Sequence, residues 1–188
     1  MVHPLVLTVA SLLVVASASA EIDFTPTDSF YIAEATKVPC VAFRNGDKVM
    51  QYSPPEGWQL GGGGNKITLT PTNTPQAEAT MATRPSKPSV PATDENVKAY
   101  SELAVRMLPR GAAKVTVVDA AVSSMQKAGR PMIEVNLTYV LSAQQFSMNI
   151  LFLPHNDELV TFQMVARTPD FAALENAFRR SLFSLQGL

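Results

Sequence analysis

Alternation of apolar and polar side chains marks the C-terminal half of the chain in four runs: Lys114–Val122, Met132–Leu141, Gln145–Leu153 and Glu158–Ala166. A period of two is the signature of a strand with unlike faces. The links Gln126–Arg130, Ser142–Gln144 and Pro154–Asp157 are short and rich in turn formers. Parallel neighbours need a crossover of about a dozen residues or more, so these four runs form an antiparallel meander. Two helical stripes flank it. Val97, Tyr100, Leu103, Ala104, Met107 and Leu108 recur at helical spacing after Thr93-Asp94-Glu95 and stop at Pro109 and Gly111. Phe171, Leu174, Ala177, Phe178, Leu182 and Leu185 form the second stripe, with Thr168 as the expected cap and Pro169 in the first turn. Arg179 and Arg180 fall outside that stripe and are expected in solvent.

The N-terminal half is patterned in shorter pieces. Residues 21–37 are mixed, with a short helix expected around Asp28–Ala35. Pro39–Phe43 and Lys48–Tyr52 flank Asn45-Gly46, two residues that tolerate the positive φ of a hairpin turn. Pro54 and Pro55 end the second run by removing ladder donors, and Gly57 lets Trp58 turn back as an apolar anchor. Gly61–Gly64 reads as a loose hairpin loop before the β-favouring Ile67–Thr70. It lacks the spacing and the following helix of a phosphate loop. A strand is expected over 76–83, then a stiff proline-punctuated connector, Arg84–Thr93. The whole is α+β: an antiparallel sheet, made of the meander and N-terminal hairpins, flanked by helices.

Residues 1–20 carry no Lys, Arg, Asp or Glu, and the apolar run Leu5–Ala16 is shorter than the roughly 20 residues of a membrane-spanning helix. It leads into Ala18-Ser19-Ala20, the small-x-small pattern of a signal-peptidase site. Residues 1–20 therefore read as a secretory signal peptide cut between Ala20 and Glu21, giving an exported, periplasmic or secreted product. No second run of membrane length follows. Residues 21–37 form an N-terminal segment and 38–188 a single domain. Lys plus Arg (15) against Asp plus Glu (16) gives a net charge of -1, which argues against electrostatic nucleic-acid binding.

Chemistry-bearing residues are sparse. Cys40, the one cysteine, lies in a strand-like run and reads as buried and structural. The chain has two histidines, His3 within the signal and His155 in a turn, where it is expected to be solvated. That count excludes a Cys/His zinc site, and one distant Cys–His pair makes a poor nucleophile. Asp119 and Glu134 interrupt otherwise β-like runs and are the best carboxylates for hydrolytic chemistry, without a second motif to support them. No catalytic, cofactor-binding or metal-ligating residue is assigned.

One surface stands out. If Thr138 opposes Ser147 and Asn149 opposes Thr161, then Glu134, Asn136, Thr138, Ser147, Asn149, Thr161 and Gln163 share one sheet face. That polar face is the candidate binding surface. The opposite face, with Phe146, Met148, Ile150 and Phe162, is then the one expected to bury the C-terminal helix around Phe178.

The order of parts from Lys48 to Gln186 resembles the Mog/PsbP-like superfamily. The resemblance rests on a strand running into Pro55-Glu56-Gly57-Trp58, a hairpin, a helix, a four-strand meander, and a last helix holding Phe178 and Ser181-Leu182-Phe183-Ser184. It implies an α/β/α sandwich. The family includes a lumenal photosystem subunit, a Ran-binding import factor and exported bacterial proteins, so it implies binding or assembly work and carries no catalytic residue. The expected function is an exported, non-catalytic protein-binding or assembly module of the cell envelope with a protein partner. The alternatives are an envelope hydrolase using carboxylates such as Glu134, or a carrier of a small apolar ligand held between helix and sheet.

Overall fold

The computed structural model describes residues 22–188. The expected signal peptide and its cleavage site lie outside the described residues. Ten strands and two helices follow in order: β1 (Ile22–Ala33), β2 (Thr36–Asn45), β3 (Lys48–Tyr52), β4 (Trp58–Gly63), β5 (Lys66–Pro71), β6 (Glu78–Pro85), α1 (Val97–Arg106), β7 (Ala113–Lys127), β8 (Arg130–Leu141), β9 (Gln144–His155), β10 (Glu158–Arg167) and α2 (Thr168–Leu182). They build a three-stranded sheet, β1-β2-β3, and a seven-stranded sheet, β4-β5-β6-β10-β9-β8-β7. Every neighbouring pair is antiparallel. The fold is α+β, as the pattern of elements implies.

The large sheet is covered on both sides. On one side, α1 lays Tyr100 and Ala104 over Ile133, Val135, Leu137, Met148, Ile150 and Phe152. On the other, α2 and the small sheet close over Met81, Leu151, Val160, Phe162 and Met164. Phe178 and Leu182 come from the helix, and Phe24, Phe43, Met50 and Tyr52 from the small sheet. Phe178 stacks on Trp58 with ring centroids 6.4 Å apart. The Pro-Glu-Gly-Trp corner thus anchors α2 through its tryptophan, made possible by Gly57 at φ +74°.

Four local expectations are corrected. Residues 28–33 are strand, not helix: the segment pairs with β2 from Ser29↔Cys40 to Ala33↔Thr36 and turns at Glu34-Ala35. Its mixed pattern hides this because the outer half of β1 has no buried face. The β2–β3 turn is centred one residue later than expected, on Gly46-Asp47, with Asn45 paired to Lys48. Gly61–Gly63 belong to β4 and pair with Lys66–Thr68, so the glycine run is not a free loop. A Cβ at Gly63 would lie 2.9 Å from Thr25 Oγ1. The neighbouring Gly64 N–H donates to that same oxygen at 3.0 Å. A side chain at Gly63 would have to displace the Thr25 hydroxyl where β1 crosses the end of β4. Thr168 opens α2 but does not cap it through its side chain; its hydroxyl pairs instead with Ser147 Oγ at 3.0 Å.

Candidate functional site

The meander's polar residues divide between the two faces. Thr138 opposes Ser147, as expected, so Glu134, Asn136, Thr138, Ser147 and Asn149 line one face. The next register differs. Glu158 pairs with His155, and Thr161 therefore opposes Phe152 while Gln163 opposes Ile150. The two-residue turn is Asn156-Asp157, with Asn156 at φ +54°. The observed pairing sits an odd number of residues from the expected one, and an odd slip moves a strand's side chains to the opposite face. Thr161 and Gln163 consequently share the α1 side with Phe152 and Ile150.

A second correction follows from the same geometry. The row Glu134, Asn136, Ser147 and Asn149 is covered by α2, whereas Phe146, Met148 and Ile150 face α1. Arg179 points into this row rather than into solvent. Its Nη1 donates to Glu134 Oε1 at 2.6 Å and its Nη2 to Oε2 at 2.8 Å. Ser123 Oγ donates to Oε2 and Asn149 Nδ2 to Oε1, each at 2.8 Å. Asn149 Nδ2 also reaches Asn136 Oδ1 at 2.8 Å. Glu175, one helical turn before Arg179, accepts from Nη1 at 3.3 Å. Every polar atom of Glu134 is therefore engaged.

This arrangement fixes the carboxylate's charge. The Arg179 hydrogen bonds, with help from Ser123 and Asn149, hold Glu134 below the ordinary glutamate range despite burial. A general acid needs the opposite shift. Asp119, the other candidate carboxylate, stands opposite Asn136 on exposed β7. Glu134 is thus held in its charged form, and the cluster acts as a bidentate clamp between α2 and β8–β9. Arg179 and Ser123 went unread in the sequence, although Glu134 in an apolar run demanded a cation and the following helix offered two.

His155 and Cys40 complete the chemical inventory. His155 is buried at the end of β9 rather than solvated, and it accepts from the Arg130 guanidinium at Nδ1. Burial, with Arg130 and Lys48 adding to it, lowers its pKa from the ordinary value. Cys40 is buried on β2, as expected. Among the described residues no three His, Cys, Asp or Glu side chains gather as a metal site. No helix there is long and apolar enough to cross a membrane.

The least conventional surface lies elsewhere, at the small sheet. β3 pairs only with Val41–Asn45 of β2, so among the described residues Thr36–Cys40 run on without a ladder partner on that edge. Together with β1 they form a projecting two-stranded arm. Ile32 is 69% exposed and Phe30 50%, with Lys37 Nζ 4.5 Å from the centre of the Phe30 ring. At the step where β3 ends lies a cleft of about 290 Å³, bounded by Tyr31, Ile32, Cys40, Tyr52 and Ser53. The Ser53 hydroxyl is buried there with no hydrogen-bond partner. Nothing in the amino-acid pattern of residues 28–37 announces this feature, because its apolar side chains stay largely exposed among the described residues.

No family model and no curated protein matches the sequence. Similar solved structures do exist. The solution structure of cyanobacterial PsbP (CyanoP) from Synechocystis superposes with a TM-score of 0.51 at 11% identity, over 74% of this chain and 86% of that one. A Pseudomonas aeruginosa protein of unknown function, PA94, provisionally described as a regulator, gives 0.50 at 10% identity over 86% and 97%. At such identities the likeness is one of fold. The chain has a PsbP-like fold.

Proposed function

We propose that this protein is an exported, non-catalytic binding module, and that its β1–β2 arm takes up an extended segment of a protein partner. The observation that carries the reading is the step at the end of β3. Among the described residues this strand edge has no partner; with Pro39 itself lacking an N–H, it offers the Lys37 N–H and the Lys37 and Pro39 carbonyls to an incoming strand. The adjoining cleft offers room for one of its apolar side chains, beside a buried hydroxyl still free to bond. Exposed Phe30, Tyr31 and Ile32 supply the large apolar contacts that dominate interfaces. The clamped state of Glu134 weighs against the hydrolase alternative. The signal-like residues 1–20 support export to the envelope, and the PsbP-like fold is compatible with assembly work.

Two experiments test this. A photo-crosslinking amino acid at Ile32, in the full chain expressed in its own cell, should give a discrete protein adduct that Lys37→Pro removes by deleting the N–H on the open edge. No adduct, or the same adduct from a probe at Glu102, counts against the arm. N-terminal sequencing of the accumulated protein should begin at Glu21; a product retaining Met1 contradicts export.

A further inference from the structure

On the opposite side of the large sheet, α1 and the proline-rich connector enclose a cleft of about 160 Å³. Its walls are Val90, Ala99, Tyr100, Leu103 and Leu159, and its polar lining comes from Ser86 and Arg106. The Tyr100 hydroxyl is already committed to the Val90 carbonyl. Arg84 stands opposite Leu159 on the β6–β10 ladder and so shares this face. Burial, and after it the positive charge of Arg106, lowers the Arg84 pKa. Among the described residues neither guanidinium joins an ion pair. The acids nearby are Glu102, one turn before Arg106, and Asp157, which pairs with Lys87 at 3.0 Å.

Two like charges beside an apolar cleft, neither held in an ion pair among the described residues, form an incomplete arrangement. Guanidinium forks match carboxylates bidentately and are weakly hydrated, which suits a half-buried site. A cavity of roughly 150 Å³ is large enough to accept a benzene ring. From this juxtaposition we infer that the α1 cleft binds a small carboxylate with an apolar body, of about the size of benzoate. The ring or branched chain lies against Val90, Leu103 and Leu159, and the carboxylate lies between Arg106 and Arg84. The site is independent of the β1–β2 arm, which belongs to the other side of the sheet.

The test uses benzoate as probe, followed by backbone amide NMR of the protein as it accumulates in the cell. Benzyl alcohol serves as the neutral isostere and inorganic phosphate as an anion without an apolar body. Benzoate should shift the amides of Ser86, Ala99 and Leu103 saturably, and both controls should bind about tenfold more weakly or worse. Arg106→Gln, at an exposed helix end, should keep the fold and weaken benzoate about tenfold. Arg84→Gln should do the same, and if it fails to fold, Arg106→Gln decides alone. Benzyl alcohol or phosphate binding as tightly as benzoate overturns the inference. So does an absence of saturation, or full affinity in folded Arg106→Gln.

Discussion

The two faces of the seven-stranded sheet are closed by different means. On the α1 face the helix itself packs through apolar side chains, with Tyr100 against Phe152 at a centroid distance of 5.2 Å, and the polar Thr161 and Gln163 carry no charge. The α2 face combines the Phe178–Trp58 stack with a charged clamp, Glu134–Arg179, set in a row of Asn and Ser. A polar row on a strand is usually assigned to water. Here it is buried: Asn149 is 4% exposed and Ser147 9%. The lesson is that polarity along a strand reports the chemistry of its cover, and the cover can be a helix carrying the complementary charge.

The largest effect should come from the apolar part of the α2 face. Phe178 is 3% exposed, so Phe178→Ala should cost about 3–5 kcal/mol by urea denaturation, from lost transfer energy plus a cavity. Arg179→Ala should come next, at about 1–3 kcal/mol, because it leaves the Glu134 carboxylate without its cation. The Arg179 and Glu134 side chains retain 27% and 17% exposure, which keeps this below the cost of breaking a fully buried pair. If Arg179→Ala is neutral, the clamp adds nothing to the apolar contact and the comparison between the faces collapses.

A pH series sharpens the contrast at the β9–β10 turn. The folded pKa of His155 lies below its unfolded value, so the folded state resists protonation there. Stability should be full above about pH 6.5 and decline as pH falls from there towards the lowered folded pKa. The slope from this group is at most about 1.4 kcal/mol per pH unit, and His155→Gln should flatten it. An unchanged slope in that variant would remove His155 from the account. The smallest effect concerns the β8–β9 turn, where Ser142 and Ala143 hold φ of +50° and +62°. A left-handed backbone costs a residue with a Cβ about 1 kcal/mol, so Ala143→Gly should raise the unfolding free energy by up to that amount, read as a higher urea midpoint at unchanged slope.

How much of this was legible in the sequence depends on whether burial followed alternation. The four meander runs, both helices and the Trp58 corner are present as read, because periodicity and proline or glycine punctuation act locally. The β8–β9 register was legible through Thr138 and Ser147, since β8 does alternate. β9 does not: from Ser147 to Leu153 every residue is buried, so matching polar rows could not place β10. The choice of face then failed with it, carrying Thr161, Gln163, His155 and Arg179 to the wrong surroundings. The β1 arm stayed hidden for the reverse reason, since Phe30 and Ile32 are apolar residues left exposed among the described residues.

Everything on the α2 face depends on the helix covering the polar row and pairing Arg179 with Glu134. Carbon-13 NMR titration of the Glu134 carboxyl, in the native protein and in Arg179→Ala, tests it directly. The native carboxyl should titrate below the ordinary glutamate value of about 4.3, because its charged form accepts from Arg179, Ser123 and Asn149. Its contribution to stability is then present above that value and lost as pH falls through the depressed pKa. Removal of Arg179 should move the titration upward. A native Glu134 titrating at or above about 4.3, and unmoved by Arg179→Ala, would contradict the pairing and return the polar row to solvent.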